Sequence, residues 1–177
     1  MTPEQYTTLK SLADADQTAS ALIAQGNDIG LADWMNAPTS QYIWRQYTPA
    51  DDVFDAIVWA NLTPIDAPDG TALWTNRALL CQAKQINLQI MLQGKERIAT
   101  AKATTRAGLS DAMLNVPSGA SGATQSAGWA AVKSVISRIG TRAEMALATG
   151  AGTQGSPSAP SFDGTISAYD AQMIRTA

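Results

Sequence analysis

The groups in this chain whose chemistry could be put to use are a few carboxylates, a glycine pair, one thiol and a set of amides. Asp51, Asp52 and Asp55 stand close together, and three carboxylates so placed could hold a calcium ion or act as an acid–base pair. They follow Thr48-Pro49, however, a pair suited to starting a helix, where the helix dipole favours acids. Helix capping with a solvated face is the simpler reading, and it applies equally to Asp163 and Asp170. Gly150-Ala151-Gly152 lies after a helix and before none, so it lacks the strand–turn–helix setting of a phosphate-binding loop. Cys81 is the one cysteine and falls within an apolar helical pattern, which predicts a buried thiol and excludes an intramolecular disulfide. Histidine is absent. That removes the commonest general base, the Ser-His-Asp type of triad and the usual zinc ligands. The sequence therefore predicts no catalytic residue, metal or cofactor.

The amides are organised by the longest helical pattern in the chain, about residues 71–94. Apolar residues recur at Leu73, Leu80, Cys81, Leu88, Met91 and Leu92 on one side, and at Leu79, Ala83, Ile86 and Ile90 on another. A helix apolar on two faces is expected to have neighbours on both, which makes this the central helix of the fold. Asp69-Gly70-Thr71 supplies turn and cap chemistry before it and Gly94 a stop after it. Asn76, Gln82, Gln85, Asn87, Gln89 and Gln93 make up most of its polar positions. Amides at helical spacing can bond a neighbouring chain without the cost of burying charge, so Gln82, Gln85 and Gln89 are candidate partner contacts beside the simpler reading of a solvated stripe.

The other elements predicted to position these groups are short. Thr2-Pro3-Glu4-Gln5 reads as a capping box opening a helix to about Asp14, and Asp16 or Thr18 can cap a second that stops at Gly26-Asn27. Leu31 to Met35 adds a further turn or two. Ser40 to Tyr47 is aromatic and β-branched, which predicts an extended segment or short strand, paired near Phe162 or lying across the helices. Thr48 is expected to cap a helix carrying Phe54, Ile57 and Val58 on its apolar side and ending near Asn61, and Pro64, Pro68 and Gly70 break the chain before the central helix. After Gly94, residues 95–115 are basic, alanine-rich and mostly helical. Lys95, Arg97, Lys102 and Arg106 read as a solvated face, since Glu96 and Asp111 dilute them. A loop at 117–122 leads to a helix from about Gln125 to Ile139 burying Trp129, Val132, Val135 and Ile136. Thr141-Arg142-Ala143-Glu144 then opens another with capping-box spacing.

At residue 150 the composition changes. Residues 149–161 are rich in Gly, Ser and Pro without charge, which predicts an extended linker. Beyond it, 161–163 could form a very short strand and Ser167 caps a terminal helix. The division expected is a helical body over 1–149 and a linker with a docking tail over 150–177. Phe162, Tyr169, Met173 and Ile174 are the tail's anchoring residues, destined for its own body or a neighbouring subunit.

The chain's 177 residues suit one domain with a sizeable core, or a domain with a tail. Charged residues make up only 15%, against about 25% in typical globular proteins, and the net charge is −3. Weak charge suits burial against partners, and an acidic balance argues against gripping DNA through its phosphates. The N-terminus lacks the pattern of a signal peptide, and no apolar run reaches the ~18 residues of a membrane span. The expectation is a soluble protein made in a reducing cytoplasm. The five tryptophans, Trp34, Trp44, Trp59, Trp74 and Trp129, read as core, with one or two as interface anchors.

Several stretches together resemble a family of small structural proteins that tailed bacteriophages encode among their head and tail genes. They are 47–49 with 57–64, Asn76 to Gln82 with Lys84 to Gln89, Thr141 to Glu144, 148–150, Gly152-Thr153, Ser156-Pro157 and Phe162-Asp163-Gly164. Within that class the chain is most similar to head-tail adaptors, also called connectors. The residue patterns predict a mainly α fold, a helical bundle around the long helix with extended segments near 41–47 and 161–163, and the resemblance likewise implies a small, mostly helical subunit. It implies no active site. It further implies a homo-oligomeric ring, usually of twelve copies, at the neck of the virion. The expected partners are the portal protein and a tail protein, whether tube, nozzle or terminator, with DNA passing through unbound. The alternatives are a capsid cement or tail completion protein and, from another class, a small helical regulator binding nucleic acid or a ligand.

Overall fold

The structure, a computed structural model, describes residues 1–64, 72–118 and 120–177, with the side chains of 72–76 outside that description. The expected cap at Asp69-Gly70-Thr71, the break at Pro68, Gly119 of the 117–122 loop and the side chains of Leu73, Trp74 and Asn76 therefore lie outside the described residues. In chain order the first elements are α1 (Pro3–Asp14), α2 (Gln17–Ala24), α3 (Asp28–Asn36), β1 (Pro38–Trp44), β2 (Thr48–Pro49) and α4 (Ala50–Ala56). A 3-10 turn (Trp59–Leu62), α5 (Ala72–Leu92), β3 (Arg97–Ile98), α6 (Ala103–Met113) and α7 (Gly122–Ile136) come next. β4 (Ser137–Thr141), α8 (Arg142–Leu147) and α9 (Ala168–Thr176) complete the chain. The fold is mainly helical, with two small two-stranded sheets among the described residues.

Contacts divide the chain differently from a break at residue 150. One compact unit joins Met1–Trp44 to Arg138–Ala177, and the other is Arg45–Ser137. Linker-like composition does not prevent 150–177 from packing, because its backbone finds partners in the first unit.

In that first unit the caps are local, and those at Thr2, Asp16 and Ser167 act as their spacing predicts. The Thr2 hydroxyl accepts the Gln5 N–H and the Gln5 side chain answers the Thr2 N–H, Asp16 caps α2, Asn27 caps α3, and Ser167 with Asp170 closes a capping box on α9. The core gathers Leu9, Leu31, Met35, Ala143, Ile166 and Ile174, with Tyr6, Leu22, Trp34 and Phe162 packed at its edge. β1 pairs with β4, not with 161–163, which is irregular. β4 is the part of the chain expected to extend helix α7 to Ile139. The helix stops at Ile136 because Ser137 turns extended, and the strand's backbone then bonds across to β1. The segment 149–161 is bonded along its length: Tyr42 N–H donates to the Gly152 carbonyl, Ser158 N–H to Tyr42, Trp44 N–H to Ser158, and Thr149 and Ala159 exchange both bonds. Gly152 has φ +66°, and a Cβ there would sit 3.1 Å from Met145 Cε and 3.2 Å from Gln41 Nε2, so glycine is required by conformation and by space together.

In the second unit, Thr48 does not cap α4. It lies in β2, opposite Ile98 of β3, and its buried hydroxyl is 2.9 Å from that of Thr100. α4 therefore begins after Pro49 with no side-chain cap and ends at Ala56, short of the expected Asn61. Ile57 is buried, whereas Phe54 and Val58 are half exposed, and Phe54 meets Trp59 in a tilted ring contact with centroids 4.9 Å apart. Val53, Leu62, Cys81, Leu88, Leu92, Leu109, Met113, Val132 and Ile136 are buried here. The buried Gln125 stitches the 114–121 loop: its amide accepts from Val116 N–H and donates to the Val116 and Ala120 carbonyls.

Candidate subunit interface

α5 runs for 21 residues and is the longest helix described. Of the two apolar sides predicted for it, only one is covered. Cys81 and Leu88 are fully buried and Leu92 nearly so, and beside them Gln85 donates to the Leu62 carbonyl at 3.0 Å. Lys84 reaches the Asp111 carboxylate at 3.3 Å and the Asp111 and Leu114 carbonyls, tying α5 to α6. The opposite side faces outward: Leu79 is 57%, Ile86 52% and Ile90 65% exposed, and Ala83 is exposed between them; Leu80, expected on the covered side with Cys81, is 54% exposed and belongs to the flank of this outward side instead. The expectation of a helix with neighbours on both faces is corrected here. Periodicity says which residues share a side, while coverage depends on there being an element left to pack on it.

The candidate amides divide accordingly. Gln82 and Gln89 are exposed beside the outward stripe, whereas Gln85 is half buried and spent on the Leu62 carbonyl. Gln89 also lines a depression with Ala50, Phe54, Leu92 and Gln93. The tail residues divide as well. Ile174 is fully buried in the core of its own unit and is unavailable to a partner, because it shares a helical side with Ala171. Phe162 packs half buried at the edge of that core. Tyr169 at 68% and Met173 at 38% exposure face outward one turn apart, and Ile29 of α3, 70% exposed, lines a shallow depression with Tyr169. Ile29 was not singled out by its sequence, since an isolated isoleucine at a helix start carries no periodic signal.

The tail is held on its unit by charge as well as packing. Arg138 forks onto the buried Glu144, at 2.7 and 2.5 Å, and its Nη2 also meets Asp163 at 2.6 Å. Burial alone would raise the Glu144 carboxyl, but the hydrogen bonds from Arg138 and from Thr141 N–H outweigh it and hold it below the ordinary glutamate value. The same contacts push the Arg138 guanidinium further up. Arg175 pairs with Asp28 at 2.8 Å, Tyr6 donates to Asp170 at 2.9 Å, and Asn36 brackets the Ile166 backbone with both amide atoms. Asp163 and Asp170 are thus structural acids.

The remaining chemistry-bearing groups are also accounted for by packing. Gly150-Ala151-Gly152 belongs to the bonded segment, and Asp51 and Asp52 lie exposed in the first turn of α4. Trp34 is half buried under Arg142, whose guanidinium carbon is 4.5 Å from the ring centroid. Trp44 is buried and Trp129 half buried. Among the described residues no three His, Cys, Asp or Glu side chains gather as metal ligands, and no helix is long and apolar enough to cross a membrane. Among the described residues, exposed apolar side chains group on α5 in the second unit and on α3 and α9 in the first, besides Tyr47, Phe54, Val58 and Ile139 elsewhere. Comparison of the chain with family models, with curated proteins and with solved structures returns no match.

Proposed function

We propose that this chain is a non-enzymatic structural protein of a tailed-bacteriophage virion, a head-to-tail adaptor subunit that assembles as a ring between portal and tail. The observation that carries the reading is the uncovered, uncharged apolar face of α5. A soluble protein rarely leaves such a face open unless a partner covers it. The resemblance of the α5 sequence and of the 141–164 region to phage head and tail proteins supplies the assembly in which that partner is found. The weak charge of the chain and its net −3 suit a ring through which DNA passes without being held. The first unit contributes Tyr169, Met173 and Ile29 as a second contact surface. Because Ile174 and Ile166 are committed to their own core, the tail reaches a partner through these outward side chains and not by detaching as a whole.

The closest rival is a capsid cement or tail completion protein, which would use the same surfaces on other neighbours. The two separate by phenotype. Phage deprived of this chain are expected to accumulate filled or fillable heads and complete tails that do not join, and adding the purified protein back should join them. Joined particles with fragile shells would point to cement. Wild-type particle yield without the chain would remove the virion reading and favour a regulator.

A further inference from the structure

The cations of the first unit are each matched to an acid, with one exception. Lys10 meets Asp14, Arg138 meets Glu144 and Asp163, and Arg175 meets Asp28, whereas Arg142 has no carboxylate within 4 Å among the described residues. Its guanidinium is nevertheless fixed. The central carbon stands 4.5 Å from the Trp34 ring centroid, Nη1 donates to the Trp34 carbonyl at 3.0 Å, and the Arg142 backbone N–H donates to the Ala37 carbonyl. A guanidinium held on one side by a ring and a carbonyl keeps its remaining N–H donors in a fork that fits a carboxylate. Arg142 lines a depression of about 240 Å³ with Leu12, Thr39, Gln41, Met145 and Ala146. The Thr39 hydroxyl is spent on the Gly140 carbonyl, so Arg142 and the exposed Gln41 supply the donors. Aliphatic walls around one cation suit a carboxylate on a short aliphatic stem, the side chain of a glutamate. The volume falls below the roughly 300–1,000 Å³ of small-molecule sites, so the occupant is a side chain carried in by a macromolecule.

The charge around this socket selects the carrier. The first unit holds eight carboxylates against four cations, a net charge of −4. A nucleic acid or an acidic protein surface is repelled by it, so the glutamate has to arrive on a basic segment. The second unit contains one, Lys95-Glu96-Arg97. Glu96 is exposed and has no cation within 4 Å among the described residues, although it lies between two in the sequence. The turn that carries it is held at its base: Ala50 N–H donates to the Glu96 carbonyl at 3.0 Å and Lys95 Nζ to the Met91 carbonyl at 2.8 Å. Other exposed acids serve less well. Asp51, Asp52 and Asp55 stand together on α4, and Glu4 and Asp33 belong to the acidic unit itself.

We infer that Glu96 of one copy enters the Arg142 socket of the next, with Lys95 and Arg97 set against that unit's surplus of acids. Plug and socket are different surfaces, so the contact is head-to-tail and passes from copy to copy, the type of contact that closes into rings. It rests on the ring reading for its setting and names one contact by which subunits follow one another.

The test is NMR of a mixed sample of full-length protein. The observed copy is isotope-labelled; the other is unlabelled Gln93→Cys carrying a nitroxide, placed on an exposed residue near Glu96, with Cys81 buried away from the reagent. Broadening of the observed copy then reports contacts between copies alone. The expected result is broadening strongest at the amides of Thr39, Gln41 and Met145. It should fall at least about fivefold with Glu96→Arg in the nitroxide copy or Arg142→Glu in the observed copy, and return when the two reversals are combined. The spectra themselves check that each variant is folded. Arg142 also packs on Trp34, so if Arg142→Glu unfolds, Glu96→Arg on its exposed turn decides alone. No broadening at those amides overturns the inference, as does broadening that Glu96→Arg leaves unchanged or that folded, reversed copies fail to restore. The adaptor reading is judged separately. A chain found at the neck without this contact refutes the plug and socket and leaves the adaptor standing; the contact in a protein absent from the particle does the reverse.

Discussion

Replacing Glu144 by glutamine keeps the shape of a side chain that is 2% exposed and removes its charge from the Arg138–Glu144–Asp163 triad. The carboxylate accepts two bonds from the Arg138 fork and one, at 3.0 Å, from Thr141 N–H. Glutamine can keep one oxygen as acceptor but turns an N–H₂ toward the guanidinium, so one arm of the fork loses its partner. Stranding one member of a fully buried pair costs about 3–5 kcal/mol. Arg138 is 27% exposed and retains Asp163, so water and the second acid recover part of that loss. The expected destabilisation is about 2 kcal/mol, localised to the unit formed by 1–44 and 138–177. Urea titration followed by hydrogen exchange in peptides from those two segments should show the midpoint falling by about 1 M or more, while peptides from 45–137 move less. The pH dependence has a defined sign. The folded Glu144 carboxyl lies below its ordinary value near 4.5, so the triad contributes fully above that pH and is lost as pH falls through the folded value. Glu144→Gln should therefore flatten the acid limb of the parent's stability curve. A variant within about 0.5 kcal/mol of the parent at neutral pH, with the same acid limb, would refute the assignment of the Arg138–Glu144 pair as a stabilising contact of that unit.

Ile174→Ala should cost about 2–4 kcal/mol by opening a cavity in the first unit's core, whereas Tyr169→Ala, two-thirds exposed, should stay within about 0.5 kcal/mol; thermal denaturation of both checks which side of α9 is structural. Truncation before residue 151 removes Ile166 and Ile174 from that core together, so the first unit should lose its protection from hydrogen exchange, and a truncated protein protected like the parent would contradict the packing described. Gly152→Ala forces a side chain into a backbone of φ +66° against Met145 and Gln41, and is expected to lower stability by about 1–2 kcal/mol in the same denaturation assay.

What could be read from the sequence was what is decided within a few residues. The boxes Thr2/Gln5, Thr141/Glu144 and Ser167/Asp170 form as their spacing requires, because each is a local exchange of backbone and side-chain bonds. β4 was hidden because its residues continue the helical pattern of α7, and the strand exists only through β1, distant in sequence. Thr48 has the chemistry of a cap, but pairing with Ile98 and the contact with Thr100 take it into a sheet instead. The segment 149–161 has the composition of a linker and yet is bonded to 42–44 by its backbone, which composition does not encode. For the candidate interface, the amides and the apolar stripe of α5 were visible. That Leu79, Ile86 and Ile90 face outward while Ile174 faces inward was not, because burial depends on how many elements are available to cover each side.

The proposed role as a ring subunit at the head–tail junction is tested by cryo-electron microscopy of the purified particle focused on the neck. The expected result is a ring of this helical chain beneath the portal, with the outward faces of α5 covered by neighbouring subunits. Density for the chain on the shell or at the tail tip, or its absence from the particle, would contradict it.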